Sequence, residues 1–226
     1  FIFPYYFGLQ NFSVKDRSSP EKFMKQASYW GYMPFTQSTH YLGLLVMIFS
    51  FYGIFYFFKY KVIKRIEIIL WIITITVVIT GFGSHFSMIY KPLFYFAPFF
   101  SKFRVPSMIY MMLSLILPMI AAINLDKMTD NENKGMIFSD ALQVFGVFIS
   151  LSLFFFLFGE SILSFSSSGD TRFPQYLDIV QNIRVALFNK GLILALFVSI
   201  VTLFLIWLYS EERFSKNVLA YFFIGI

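Results

Sequence analysis

Residues 141–159 read ALQVFGVFISLSLFFFLFG, an apolar run with no Asp, Glu, Lys or Arg. The hydrocarbon core of a bilayer is about 30 Å thick and a helix rises about 1.5 Å per residue, so a spanning helix needs roughly 20 apolar residues. This run meets that length, and 191–210, GLILALFVSIVTLFLIWLYS, meets it again. Working outward, 41–58 and 105–125 are uncharged, and 66–83 carries only Glu67 near its edge. A further apolar run starts at 218 and is cut short at 226. Inside lipid every backbone polar group must be satisfied within the segment, which selects helices. The alternation of period two that marks a membrane β-barrel is absent. The expected fold is therefore all-α: a polytopic membrane helix bundle of five full spans plus a truncated sixth, preceded by an extracytoplasmic segment over 1–40.

Composition agrees. Of 226 residues, 58% are hydrophobic and 13% charged, against about 45–50% and about 25% in soluble domains. Mean hydropathy is +0.70. A soluble domain, a disordered chain and a nucleic-acid module are excluded, so no nucleic-acid partner is expected. The absence of Cys removes a disulfide framework, a Cys-ligated zinc site and a thiol nucleophile. Two His cannot form a His-rich metal cluster, and no metal or cofactor is expected. The excess of Phe is in keeping with an AT-rich coding genome. The chain begins at Phe1 and stops inside an apolar run, so an internal piece of a longer protein is expected.

The net charge of +6 is read as membrane orientation. The turns 59–65, 126–140 and 211–217 hold Lys59, Lys61, Lys64, Arg65, Lys127, Lys134, Arg213 and Lys216. The longer segments 1–40, 84–104 and 160–190 carry Lys and Arg at less than half that density. The positive-inside rule puts the short turns in the cytoplasm. The expected location is the cell inner membrane, with multiple passes and all the long loops outside.

Those outer segments are unusual. Segment 84–104 is aromatic-rich, and Pro92 and Pro98 are expected to break it into short interfacial or re-entrant helices. Segment 174–190 predicts a separate surface helix, with Leu177, Val180, Ile183 and Leu187 on its apolar face and Asp178, Gln181 and Arg184 largely opposite. Glu67, next to Lys64 and Arg65, predicts an interfacial ion pair.

Candidate chemistry lies in the same outer segments. Arg104, at the mouth of the third span, has two readings. Its guanidinium can grip a lipid-linked phosphate through two parallel hydrogen bonds, or it can snorkel as an interface anchor. Lys102 can join it. Tyr29, Trp30 and His40 offer aromatic faces and an imidazole for a sugar, or else form a headgroup-level belt. The outer carboxylates Asp16, Glu21, Glu160, Asp170 and Asp178 include no obvious general base.

Two strings, Phe3-Pro4-x-x-Phe7-Gly8 and Ser28-Tyr29-Trp30-Gly31-x-Met33-Pro34-Phe35-Thr36, resemble the YfhO family of polytopic bacterial membrane proteins. So do Tyr41-x-Gly43, the stretch Lys102-Phe103-Arg104-x-x-Ser107-Met108-Ile109, and the outer helix that ends in Arg184 before the span at Gly191. The chain departs from the pattern at Leu9 and by a polar insert over 13–26. The resemblance implies a longer chain similar to C-type glycosyltransferases. Such enzymes move a sugar from a polyprenyl-phosphate carrier to an envelope glycan or glycolipid acceptor outside the membrane. It implies that the catalytic carboxylate lies in a first outer loop, so no residue here inherits that role. Tyr29, Trp30, Arg104, His40 and Lys102 are then substrate-binding residues. A flippase for a lipid-linked saccharide is the competing reading, and a structural scaffold is a third. A transporter needs charged residues or Gly/Pro breaks in mid-span, and here only Pro118 is expected to interrupt one.

Overall fold

The structure is a computed structural model that describes residues 41–83, 87–96, 106–130, 134–166, 170, 177–213, 215 and 218. Most of the described residues are helical, and no strand is found among them. The chain divides into two compact units, one holding the helices before Glu132 and the other the two long helices after it.

The first unit contains α1 (Leu44–Tyr60), α2 (Arg65–Gly81), α3 (Ser87–Phe96), a 3-10 turn η1 (Pro106–Met112) and α4 (Leu113–Thr129). α2 is built largely of Ile, Thr and Val, poor helix formers in water. Leu70, Thr74, Val77 and Gly81 form its buried stripe, while Ile68, Ile69, Ile72 and Ile75 face outward. The hydroxyl of Thr74 donates back to the Leu70 carbonyl at 2.8 Å.

α4 buries Leu113, Ile116, Leu117, Ile120, Ala121, Asn124 and Met128. It packs on both α1 and α2. The Ser50 hydroxyl of α1 donates to the Leu117 carbonyl at 3.1 Å, and Gly53 lies directly beneath the Asn124 amide. At the far end of α2, Gly81 gives room to the Tyr110 ring, whose hydroxyl reaches the Val78 carbonyl at 3.4 Å. Tyr56 and Glu67 both meet Lys127. The cationic α1–α2 turn and the end of α4 therefore share one end of this unit, and α3 and η1 share the other. At the turn, α1 is closed by Lys61 in the left-handed region (φ 58°), which donates its N–H to the Phe57 carbonyl at 2.8 Å.

The second unit is a hairpin of α5 (Lys134–Ile162) and α6 (Leu177–Ser210). α6 has 34 residues, about 51 Å of helix, well beyond the thickness of a bilayer core.

Among the described residues, three helical stretches are long and apolar enough to cross a membrane: Met108–Thr129, Gly135–Ile162 and Leu177–Ser210. α1 is apolar but shorter, at 17 residues.

Three expectations need correction. α4 runs unbroken through Pro118; the irregular backbone is the 3-10 turn one stage earlier. α3 continues across Pro92, so the break expected there is absent; at 10 residues it is nonetheless a short piece that does not cross a bilayer, as expected. Pro98 lies outside the described residues. Finally, 174–190 is not a separate surface helix. From Leu177 it is continuous with the apolar run at 191–210, because one buried stripe runs its whole length: Val180, Arg184, Phe188, Leu192, Ala195, Ser199, Thr202, Ile206 and Tyr209.

Candidate functional site

The five residues that the sequence nominates, Tyr29, Trp30, His40, Lys102 and Arg104, all lie outside the described residues. What the structure does bring together is a cluster where the chain leaves α5 and enters α6.

Arg184 is the centre of that cluster. It belongs to the buried stripe of α6 and is 2% exposed. Its Nη1 donates to Asp170 Oδ2 and to the Phe165 carbonyl, and its Nη2 donates to Asp170 Oδ1, each at 2.8 Å. The two guanidinium–carboxylate bonds run in parallel, the fork geometry that suits Arg and not Lys. Removing one partner of such a buried pair leaves an uncompensated charge, at a cost of about 3–5 kcal/mol.

The backbone around the pair is shaped to deliver it. α5 ends at Ile162, after which the Leu163 N–H donates to the Gly159 carbonyl at 2.9 Å. Phe165 then takes a left-handed conformation (φ 46°), which is costly for a bulky residue. Two contacts offset that cost. Its carbonyl accepts from Arg184, and its ring packs edge-on against Phe188 with centroids 5.5 Å apart. Phe155 meets Phe188 from the α5 side at 6.4 Å. Gly159 makes the space: a Cβ there would lie 2.9 Å from the Phe188 ring. Phe165, Phe188 and Leu192 form a closed apolar cluster beneath the ion pair.

The helical periodicity of 174–190 predicts Arg184 largely on the polar face. The structure puts it on the buried face, because Asp170 and the Phe165 carbonyl compensate its charge. The available signal was the spacing Val180, Arg184, Phe188, Leu192, which continues into the apolar run at four-residue steps. Asp170, one of several unremarkable acids in the sequence, is the partner.

A second buried pair lies in the other unit. Lys127 Nζ donates to Glu67 Oε2 at 2.5 Å, with the side chains 8% and 3% exposed. The same oxygen accepts the Lys64 backbone N–H at 3.0 Å, which caps the start of α2. The Lys127 ammonium also lies 5.6 Å from the Tyr56 ring centroid. The expected pairing of Glu67 with the side chains of Lys64 and Arg65 is thus replaced by a pairing with α4. Glu67 Oε1 has no hydrogen-bond partner.

Both clusters are structural clamps: each fixes one chain segment onto a helix. Among the described residues no group of three His, Asp or Glu could hold a metal ion. No protein-family model, curated protein or solved structure matches the chain.

Proposed function

We propose that this chain is the membrane-embedded portion of a glycosyltransferase in the manner of the YfhO family, one that takes a sugar from a polyprenyl-phosphate carrier on the outer side of the inner membrane. In this reading the chain makes five full spans and begins a sixth at 218, with interfacial or re-entrant helices in its outer segments. Arg104 and Lys102 hold the carrier phosphate; Tyr29, Trp30 and His40 wall the sugar; the acceptor is an envelope glycan or glycolipid.

One observation supports surface chemistry over a transport pathway. Among the described residues, the buried charges cluster toward helix ends: Glu67 at the start of α2, Lys127 at the end of α4, Asp140 in the second turn of α5 and Arg184 in the third turn of α6. Within the apolar stretches the buried hydroxyls of Thr74 and Ser152 bond back to their own helices, that of Ser50 reaches the Leu117 carbonyl, and that of Thr202 has no partner; none of these groups is ionisable. A transport route would carry ionisable groups at mid-span. A flippase for a lipid-linked saccharide is the alternative.

The test uses vesicles holding the polypeptide that carries this sequence, with a polyprenyl-phosphate sugar labelled in the sugar and an acceptor outside. The proposal expects label to leave the carrier for the acceptor and free polyprenyl phosphate to appear. Intact carrier-linked sugar moving between leaflets, with none released, would favour the flippase.

A further inference from the structure

We infer that α3 lies flat in the lipid–water boundary, with one face against acyl chains and Lys91 on an anionic phospholipid headgroup. This rests on the membrane-spanning reading above and makes one of its outer helices specific.

α3 has 10 residues, about 15 Å of helix. It follows the end of α2, whose outward face is a row of isoleucines, and it sits at the end of its unit where Tyr110 closes on Gly81. Met88, Pro92, Tyr95 and Phe96 recur at i, i+4, i+7 and i+8, so they share one face. Met88 is 82% exposed, Tyr95 76% and Phe96 86%. The opposite face carries Tyr90, half-buried, whose ring lies 5.8 Å from that of Phe94.

Three surroundings can be compared for the exposed face. Water is a poor one, because a contiguous patch of Met, Tyr and Phe is what soluble surfaces avoid. Another membrane helix is a poor one, because helices in lipid meet through small residues and this face has none. The interface suits it: aromatic rings with a polar tip concentrate there. Lys91, one helical turn from both Met88 and Tyr95, is exposed at the edge of the same face. A re-entrant dip would carry its ammonium into hydrocarbon, whereas a flat helix leaves it among phosphates.

The sequence contains no cysteine, so single cysteines can carry a fluorophore without background. Labels would be placed at Met88, Tyr95 and Phe96, and at Ile72 of α2 as a control, in vesicles of phosphatidylcholine and phosphatidylglycerol. Quenchers are aqueous iodide and lipids bearing a nitroxide at acyl carbon 5 or 14. The α3 labels should be quenched best by the carbon-5 lipid and poorly by iodide. Lys91→Gln should lower the preference of these labels for anionic over zwitterionic nitroxide lipid by about fivefold. Strong iodide quenching would overturn the proposal by placing the face in water. Quenching by neither class would overturn it by placing protein over the face, from another segment or a second copy. Strongest quenching from carbon 14 would make α3 re-entrant, and an unchanged lipid preference in Lys91→Gln would remove the headgroup contact. If Ile72 is lipid-quenched and the α3 labels are not, only this proposal falls. If Ile72 also escapes the lipid quenchers, the spanning assignment of α2 falls with it.

Discussion

Arg184 and Asp170 meet through two parallel hydrogen bonds of 2.8 Å, fourteen residues apart in sequence, with the guanidinium buried on the stripe that α6 turns inward. A third bond from the same guanidinium reaches the Phe165 carbonyl. The pair therefore anchors the chain between the two long helices to the side of α6.

Arg184→Met and Asp170→Leu should each destabilise the α5–α6 unit by about 3–5 kcal/mol, because each leaves a buried polar partner uncompensated. The double variant Arg184→Met with Asp170→Leu should recover most of that loss. Unfolding in detergent, followed by loss of helix signal, measures all three. Additive losses in the double variant would mean that the two groups are not coupled.

The run at 141–159 lies inside Lys134–Ile162, and 41–58 corresponds to Leu44–Tyr60 within a few residues. Apolar length decides those helices, and it is written directly in the chain. What apolar length does not carry is which face turns inward. Arg184 and Glu67 are charges whose burial depends on partners fourteen and sixty residues away, and local periodicity cannot supply a distant counter-charge. Pro92 and Pro118 each remove one donor, yet both helices continue past them. The five residues nominated for the candidate site, Tyr29, Trp30, His40, Lys102 and Arg104, lie outside the described residues.

Glu67→Gln should cost α1–α4 packing about 3–5 kcal/mol, since it strips the buried Lys127 ammonium of its counter-charge. Lys127→Met with Glu67→Gln should be milder than either single change. Thermal unfolding of the purified protein separates these outcomes, and equal melting temperatures for wild type and Glu67→Gln would show that the pair does not hold α4.

Gly53 lets α1 approach the Asn124 amide so closely that a Cβ would overlap it. Gly53→Ala should destabilise by about 1–3 kcal/mol through overpacking. Asn124→Ala, which removes an amide without hydrogen-bond partners, should relieve much of that loss when combined with it. Failure of the second change to rescue the first would place the strain elsewhere.

Arg104→Lys keeps the charge but loses the two-bond fork. In the transfer assay it should weaken carrier binding by about 1–3 kcal/mol, seen as a raised KM for the polyprenyl-phosphate sugar. Wild-type kinetics in both Arg104→Lys and Arg104→Gln would reduce Arg104 to a snorkelling anchor.

The outer-face assignment underlies every functional statement here, and cysteine accessibility in intact cells tests it most directly. Cysteines replace Ser18 in the 1–40 segment and Lys61 in the α1–α2 turn, and each is challenged with a membrane-impermeant thiol reagent. The orientation proposed here predicts that position 18 labels in intact cells and position 61 only after the membrane is opened. Labelling of position 61 with protection of position 18 would invert the protein and contradict the account.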